Sequence, residues 1–280
     1  MPDTAPDTAS PRPRRRTAVV SAVLVLAALG GLIAWRVTGA PEPVPDAGPP
    51  TVAEPFRGSP AASWADGAAG IELPQAEAVG GMSKNQVAVA LDRVKEFLVA
   101  ANVEPGMLRG EQSLLASHLL DGRDGVREGV RSWLERPDFE QRNPLWLFTR
   151  FDPAESRLIG PVKIRGAMTF EAGDEPGVVR IRAVYAFVYP LADAVPGRDR
   201  ATRAIVRRDV TFEVDDTDPG ALTPAEYQYV VFNHDCGAFD GVVHPWFGGE
   251  GTTPGRGADP YALDREVRDL PVDCAPVSRI

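Results

Sequence analysis

The residues best suited to chemistry lie in one fifteen-residue stretch, VVFNHDCGAFDGVVH, which ends at His244. It contains two of the chain's three histidines, His234 and His244, together with Asp235 and Cys236. Imidazole, carboxylate and thiolate groups are the ligands of zinc, and a catalytic zinc takes three of them plus a water. One interpretation is therefore a metal-dependent hydrolase site at His234, Asp235 and His244.

The spacing of these residues favours a structural role instead. Nine residues separate the two histidines, which is not an established ligand spacing, and the chain has no HExxH motif. The His-Asp pair alone lacks the further helical His and Asp residues of HD-type phosphohydrolases. In the second interpretation Asp and Asn side chains hydrogen-bond the backbone in turns at a strand end, and no metal or other cofactor is expected.

Cys236 and Cys274 are the only cysteines of the chain. The N-terminal segment described below indicates that both face an oxidising exterior, where two cysteines are expected to form a disulfide. That bond would tie a Gly/Pro-rich tail, which has little periodic apolar content, to the end of a sheet. A nucleophilic Cys236 would instead need to stay reduced and be deprotonated by a nearby base.

Apolar and polar residues alternate from about residue 162 to residue 231, the period of β-strands. Four polar residues share the inward phase and are candidates for lining a pocket: Tyr185, Tyr189, Arg208 and Tyr229. A buried Arg208 would need an anionic or hydrogen-bonding partner. Alternatively, a β-bulge at residues 207–208 would shift the register and turn Arg208 outward.

The opposite phase of the same strands is rich in basic residues. These could form a basic face that binds lipid headgroups, anionic polymers or an acidic partner; they are Lys163, Arg165, Arg180, Arg182, Arg203 and Arg207. The alternative is an ordinary solvated face on which Glu171, Asp209 and Glu213 balance the positive charge.

Three helical patterns precede the strands. Residues 82–102 carry apolar residues at helical spacing behind a capping Ser83, and Pro105 ends the pattern. Shorter patterns follow in GEQSLLASHLLDG and DGVREGVRSWLERP. Helices that precede a run of antiparallel strands predict an α+β fold, with the helices packed on a curved antiparallel sheet and an irregular, disulfide-tied C-terminal tail.

This order of elements over residues 82–236 resembles the NTF2-like (cystatin-like cone) fold. The whole chain also resembles uncharacterised single-pass, membrane-anchored envelope proteins of actinobacteria. In those proteins a basic tail, one membrane helix and a Pro-rich spacer precede one extracytoplasmic domain. The resemblance implies scaffolding or complex assembly rather than catalysis, and it transfers no catalytic motif.

The N-terminal segment predicts where the protein resides. Residues 17–35 carry no charge and lie between Arg16 and Arg36, which suits a transmembrane helix. More arginines precede the segment than follow it, so the N-terminus is expected in the cytoplasm and the body outside the cell membrane. A cleaved signal peptide is the alternative, but Pro41 follows its best small-residue site.

These boundaries predict five regions. They are a cytoplasmic basic tail (1–16), a transmembrane helix (17–36), a Pro-rich linker (37–70), an α+β extracytoplasmic domain (71–243) and a Gly/Pro-rich tail (244–280).

Composition and motifs narrow the function. The net charge of −9, with a basic N-terminus, leaves an acidic body that disfavours nucleic acid as a partner. No G-x-S-x-G, P-loop or dinucleotide-binding motif occurs. We therefore expect a non-enzymatic, membrane-anchored envelope domain that binds or scaffolds a protein partner. A ligand-binding or enzymatic cone with an interior pocket, and the metal-dependent hydrolase, are the alternatives.

Overall fold

The computed structural model describes six stretches of the chain: residues 48–111, 114–121, 125–235, 237, 239–248 and 259–270. All of them fall within one compact unit, Ala40–Ile280. The predicted basic tail, the predicted span 17–36 and both cysteines of the predicted disulfide lie outside the described residues.

Six antiparallel strands form the main sheet. They are β1 (Ala65–Asp66), β2 (Ser156–Leu158), β3 (Lys163–Ala172), β4 (Val178–Asp193), β5 (Ala201–Asp215) and β6 (Thr223–Phe232). Their spatial order is β1-β3-β4-β5-β6, and β2 pairs with the end of β4. The short strands β7 (His234–Asp235) and β8 (His244–Pro245) form a separate ladder. The four long strands fall where the alternation of apolar residues predicts them.

Four α-helices are described: α1 (Lys84–Asn102), α2 (Pro105–Leu108), α3 (Leu114–His118) and α4 (Val126–Glu135). The predicted cap of α1 is confirmed, because Ser83 Oγ accepts a hydrogen bond from the Gln86 amide while Gln86 Oε1 accepts one from the Ser83 amide. Such a capping box satisfies two backbone donors that the helix leaves unpaired.

One face of the sheet packs against the helices. The apolar side of α1 buries Val87, Leu91, Val94 and Leu98 there. The ring of Phe97 contacts that of Phe212 on β5, with centroids 5.2 Å apart. Each such side chain contributes roughly 1.5–3 kcal/mol by burial.

The opposite face of the sheet is also covered, although by irregular chain rather than helices. Ala61 and Trp64 come from one covering segment, and Tyr261, Val267 and Leu270 come from another. Residues 55–64, which we call the N-terminal cover, therefore belong to the folded unit and not to a linker ending at residue 70. Residues 259–270, the C-terminal cover, likewise dock part of the predicted tail.

The predicted fold class is wrong. The unit is mainly a six-stranded antiparallel sheet with few helices, rather than an α+β fold with a substantial helical layer. Only α1 among the described helices exceeds ten residues, whereas β4 and β5 have 16 and 15 residues. The second predicted helix reduces to the five residues of α3. A short apolar pattern with helical spacing predicts more helix than the chain forms. The first turn of a helix is costly to form, and tertiary packing then decides how far the helix extends.

Two further parts of the predicted fold find no support in the described residues. None of the described helices is long and apolar enough to cross a membrane. No disulfide occurs among the described residues either, since neither cysteine is one of them. The tail instead reaches the sheet through apolar side chains, with Tyr261 and Val267 only 4% and 1% exposed.

Candidate functional site

Carboxylate groups hold His244 and the backbone in the stretch that contains His234 and His244. In the β7–β8 ladder Asp235 pairs with His244. His244 Nδ1 lies 2.7 Å from Glu155 Oε2, and its Nε2 lies 3.1 Å from Asp240 Oδ1. Burial acts to lower the pKa of His244, but the two carboxylates outweigh it and the net shift is upward. Both ring nitrogens are therefore engaged within the protein.

The aspartates of this stretch hold the backbone. Asp235 Oδ1 accepts a hydrogen bond from the Gly237 amide at 2.9 Å, and Asp240 Oδ1 accepts one from Val242 at 3.0 Å. Burial and the neighbouring His244 lower the pKa of His234. Within the described part of the chain, no group of three or more His, Cys, Asp or Glu side chains is arranged to hold a metal ion. The arrangement here closes a loop.

The four residues predicted to line a pocket are brought together in part. Tyr185, Arg208 and Tyr229 form a row across β4, β5 and β6, because Arg208 pairs with Tyr185 on one side and with Tyr229 on the other. Tyr189 lies four residues beyond Tyr185 on β4 and points to the same face. Its hydroxyl donates to the Asn102 carbonyl at 2.9 Å. Burial raises the pKa of both Tyr185 and Tyr189.

Arg208 faces the helices, so the predicted bulge at residues 207–208 is wrong. The register is continuous there, and the irregularity lies between Thr211 and Phe212 instead. Arg208 is 1% exposed, and its guanidinium donates to the carbonyls of Leu145 and Phe148. Burial lowers its pKa to about 10, so the group stays charged at neutral pH.

The space behind this row is filled rather than open. Phe97, Phe148 and Phe212 pack there, with the Phe97–Phe148 centroids 6.0 Å apart. Tyr185 and Tyr189 are 2% and 0% exposed. The tyrosines and Arg208 therefore serve as a buried polar connection between sheet and helices, and this interior offers no support for the ligand-binding cone.

The six residues of the predicted basic face do share one face of the sheet, the one beneath the two covers. Arg203 and Arg207 are each 1% exposed, so the covers close them off. Lys163 pairs with Asp66, Arg180 with Glu226, and Arg182 with both Asp209 and Glu266. Arg165 alone of the six makes no hydrogen bond or ion pair with a described residue. Most of the basic side chains on this face are thus already bound to partners within the protein.

Sequence reasoning missed a groove of about 810 Å³ beside β6. One wall is five consecutive residues of that strand, Tyr227–Val231. Successive strand residues point to opposite faces, so a groove that contacts five in a row must run along the edge of the strand. We call it the β6 groove.

The edge of β6 that borders this groove is unpaired over the residues the structure describes, because β6 is the last strand of the sheet. At its start the chain covers this edge: the Leu222 amide donates to the Leu119 carbonyl, and the Leu222 carbonyl accepts from Asp121. Beyond that point the edge faces the groove. Unpaired edges are sites where an added strand can form backbone hydrogen bonds.

Aromatic rings dominate the other walls. The rings of Trp146 and Tyr227 contact each other at a tilt, with centroids 5.0 Å apart, and Phe139 meets Phe239 edge to face at 5.4 Å. Phe139 is 57% exposed, the highest value among the large apolar side chains described. Asn143 fixes one corner, since its Nδ2 donates to Tyr229 Oη and its Oδ1 accepts from the Leu145 amide.

The groove carries little charge. Among the described residues that line it, only Glu140 and Arg268 carry full charges, and Arg268 lies 3.9 Å from Glu266. His234 also lines it, and the lowered pKa keeps this imidazole neutral near pH 7. In sequence the signal is weak, because the aromatic residues come from separate loops that only the fold brings together.

Comparison with known proteins identifies no relative of this chain. No family model matches the chain, and no curated protein or solved structure matches it.

Proposed function

We propose that this protein is a non-enzymatic binding domain of the cell envelope, and that its β6 groove receives an extended segment of a partner protein. Residues 17–36 would tether the domain to the cell membrane, with the N-terminus in the cytoplasm. The single observation that carries the proposal is the unpaired edge of β6 lying open beside an aromatic groove.

Backbone geometry supports an extended occupant. A peptide that adds to a sheet edge gains its affinity from main-chain hydrogen bonds and its specificity from pockets for alternate side chains. Tyr227–Val231 supply an edge of about 16 Å at roughly 3.3 Å per residue. That length matches a peptide of about five residues.

The lining supports apolar or aromatic side chains in that peptide. Residues that dominate binding energy at protein interfaces are enriched in Trp and Tyr, and they lie in desolvated pockets. Trp146, Tyr227 and Phe239 form such a pocket, and Phe139 projects at its rim. Because the groove holds so little charge, a strongly charged segment would lose hydration without gaining ion pairs.

The tether and the charge of the chain fit a partner in the same compartment. Residues 17–35 are uncharged between two arginines, and the body that follows is acidic. An acidic body repels nucleic acid, which favours a protein as the partner. A domain tethered outside the cell membrane would meet the proteins of the envelope, so we expect the partner among them. Alkaline extraction of membranes tests the tether: the full chain should remain with the membrane, and a chain lacking residues 17–36 should be released.

The groove itself can be tested with short peptides. Linear peptides selected from a displayed library on the full-length protein would be labelled, and their binding measured by fluorescence anisotropy. We expect Phe139→Ala and Phe239→Ala each to weaken binding about tenfold or more. Hydrogen exchange with bound peptide should slow at the amides of residues 227–231.

Val89→Ala is the matched control, because Val89 is also an exposed apolar residue, 43% exposed, but lies on α1. This variant should bind the same peptides normally. Binding that survives both phenylalanine substitutions, or exchange protection confined to other strands, would count against the groove.

A further inference from the structure

A second cleft lies at the opposite edge of the sheet and takes no part in the β6 groove. Its volume is about 500 Å³, within the range of about 300–1,000 Å³ typical of small-molecule sites. The end of α1, the short helix α2 and strand β2 form its sides, and Leu191 of β4 contributes to its wall.

The walls of this cleft are mostly apolar. Besides three prolines, the lining includes six aliphatic or aromatic side chains: Val103, Leu108, Phe151, Leu158, Val162 and Leu191. Four of them, Leu108, Phe151, Val162 and Leu191, are at most 4% exposed, so they are parts of the core. Such a surface suits a hydrocarbon chain, because apolar area removed from water is stabilising.

Of the three charged residues that line the cleft, two form ion pairs, and one arginine has no partner among the described residues. Asp66 is paired with Lys163 at 2.7 Å, and Arg109 is paired with Glu111 at 2.8 Å. Arg157 is exposed, neighbours Ser156 on β2, and makes no ion pair or hydrogen bond with a described residue. A guanidinium binds carboxylate or phosphate oxygens through paired hydrogen bonds.

We propose that this cleft binds a single-chain anionic amphiphile. The hydrocarbon chain lies against the apolar walls, and the acidic head pairs with Arg157. A free fatty acid and a single-chain phosphate ester share this chemistry. The site does not depend on the β6 groove, so either proposal can fail alone.

The test uses a diazirine derivative of decanoic acid as a photoreactive probe on the full-length protein in phosphatidylcholine nanodiscs. Labelled peptides are located by mass spectrometry, and labelling is competed with decanoate, decyl phosphate or decanol. We expect labels in residues 103–109 and 151–162. Both acids should compete at least about tenfold better than neutral decanol, because only they can pair with Arg157.

The two acids distinguish the source of the ligand. Stronger competition by decanoate assigns a fatty acid, and stronger competition by decyl phosphate assigns a phosphate ester. Arg157→Gln should reduce labelling about tenfold, whereas Arg131→Gln, a change of an exposed arginine on α4, should leave it unchanged.

Three results would overturn the proposal. They are equal competition by decanol, labelling that falls outside the cleft, and an Arg157→Gln variant that labels like the parent protein. Arg157 is exposed, so this last variant remains folded and its result is decisive.

Discussion

Arg207 and Arg208 are neighbours on β5, yet they are buried on opposite faces of the sheet, each 1% exposed. Arg207 donates to the carbonyls of Ala262 and Arg265 in the C-terminal cover, and Arg208 donates to that of Leu145 on the helix side. A guanidinium has five donors and can satisfy several carbonyls of irregular chain at once. These two adjacent residues thus bind both layers to the central sheet.

Replacing Arg208 should be costly, because its carbonyl partners would stay buried without donors. We expect Arg208→Met to lower the free energy of unfolding by about 2–4 kcal/mol. Urea denaturation measures this value. Arg268→Met changes an arginine whose side chain is 65% exposed and should stay within about 0.5 kcal/mol of the parent. Equal effects of the two substitutions would refute the role given to Arg208.

Arg203 and Arg207 should hold the two covers differently. Arg203 Nη1 donates to the carbonyls of Pro55 and Arg57 in the N-terminal cover, and Arg203 also contacts Tyr261 of the C-terminal cover, whereas Arg207 donates to carbonyls of the C-terminal cover alone. Arg203→Met should therefore speed tryptic cleavage at Arg57. Arg207→Met should speed cleavage at Arg265, because local opening exposes the chain to protease. Each variant is the control for the other, and the same cleavage pattern in both would contradict separate attachment.

Gly166 should tolerate no side chain. It pairs with Tyr185, and a Cβ at this position would lie 2.2 Å from the Val184 carbonyl oxygen and 2.6 Å from Tyr185 Cα. Because backbone atoms cannot move aside cheaply, Gly166→Ala should lower stability by about 2–3 kcal/mol or more.

Gly129→Ala is the matched control for this position. Gly129 lies within α4, and a Cβ there meets nothing within 4 Å. Alanine loses less backbone entropy than glycine in a helix, so this change should raise stability by about 0.5–1 kcal/mol. Thermal or urea unfolding of both variants should give shifts of opposite sign, and a stable Gly166→Ala would contradict the close strand packing.

His244 should make stability depend on pH. Burial acts to lower its pKa, but Glu155 and Asp240 raise it above the ordinary value of about 6.5. The folded chain thus holds this proton more tightly than the unfolded chain. The stabilisation is fully present below about pH 6.5 and is lost as the pH rises through the folded-state pKa.

Comparison of the parent with His244→Gln isolates this contribution. The parent should exceed the variant in unfolding free energy by more at about pH 6 than at about pH 8.5. His234, whose pKa is lowered by burial, acts with the opposite sign but is present in both proteins. His118→Gln, at an exposed position on α3, serves as the control. A stability gap that is constant with pH would rule out the ion pairs.

The sequence by itself determined the local features of this protein. Period-2 alternation located the four long strands, and Ser83 with Gln86 set the start of α1, because strand faces and helix caps depend on residues close in the chain. Alternation also placed the six basic residues on one face and Arg208 on the other. These properties depend only on residues that are close together in the chain.

Only the tertiary structure decided what covers each face. Alternation separates two faces, but it does not reveal that Ala61 and Tyr261, 200 positions apart, close over the basic one. Burial of Arg203 and Arg207 follows from that closure. The β6 groove and the cleft beside β2 are likewise lined by residues that are far apart in the chain. Long-range packing, rather than local pattern, decides which of these surfaces meet and which stay open.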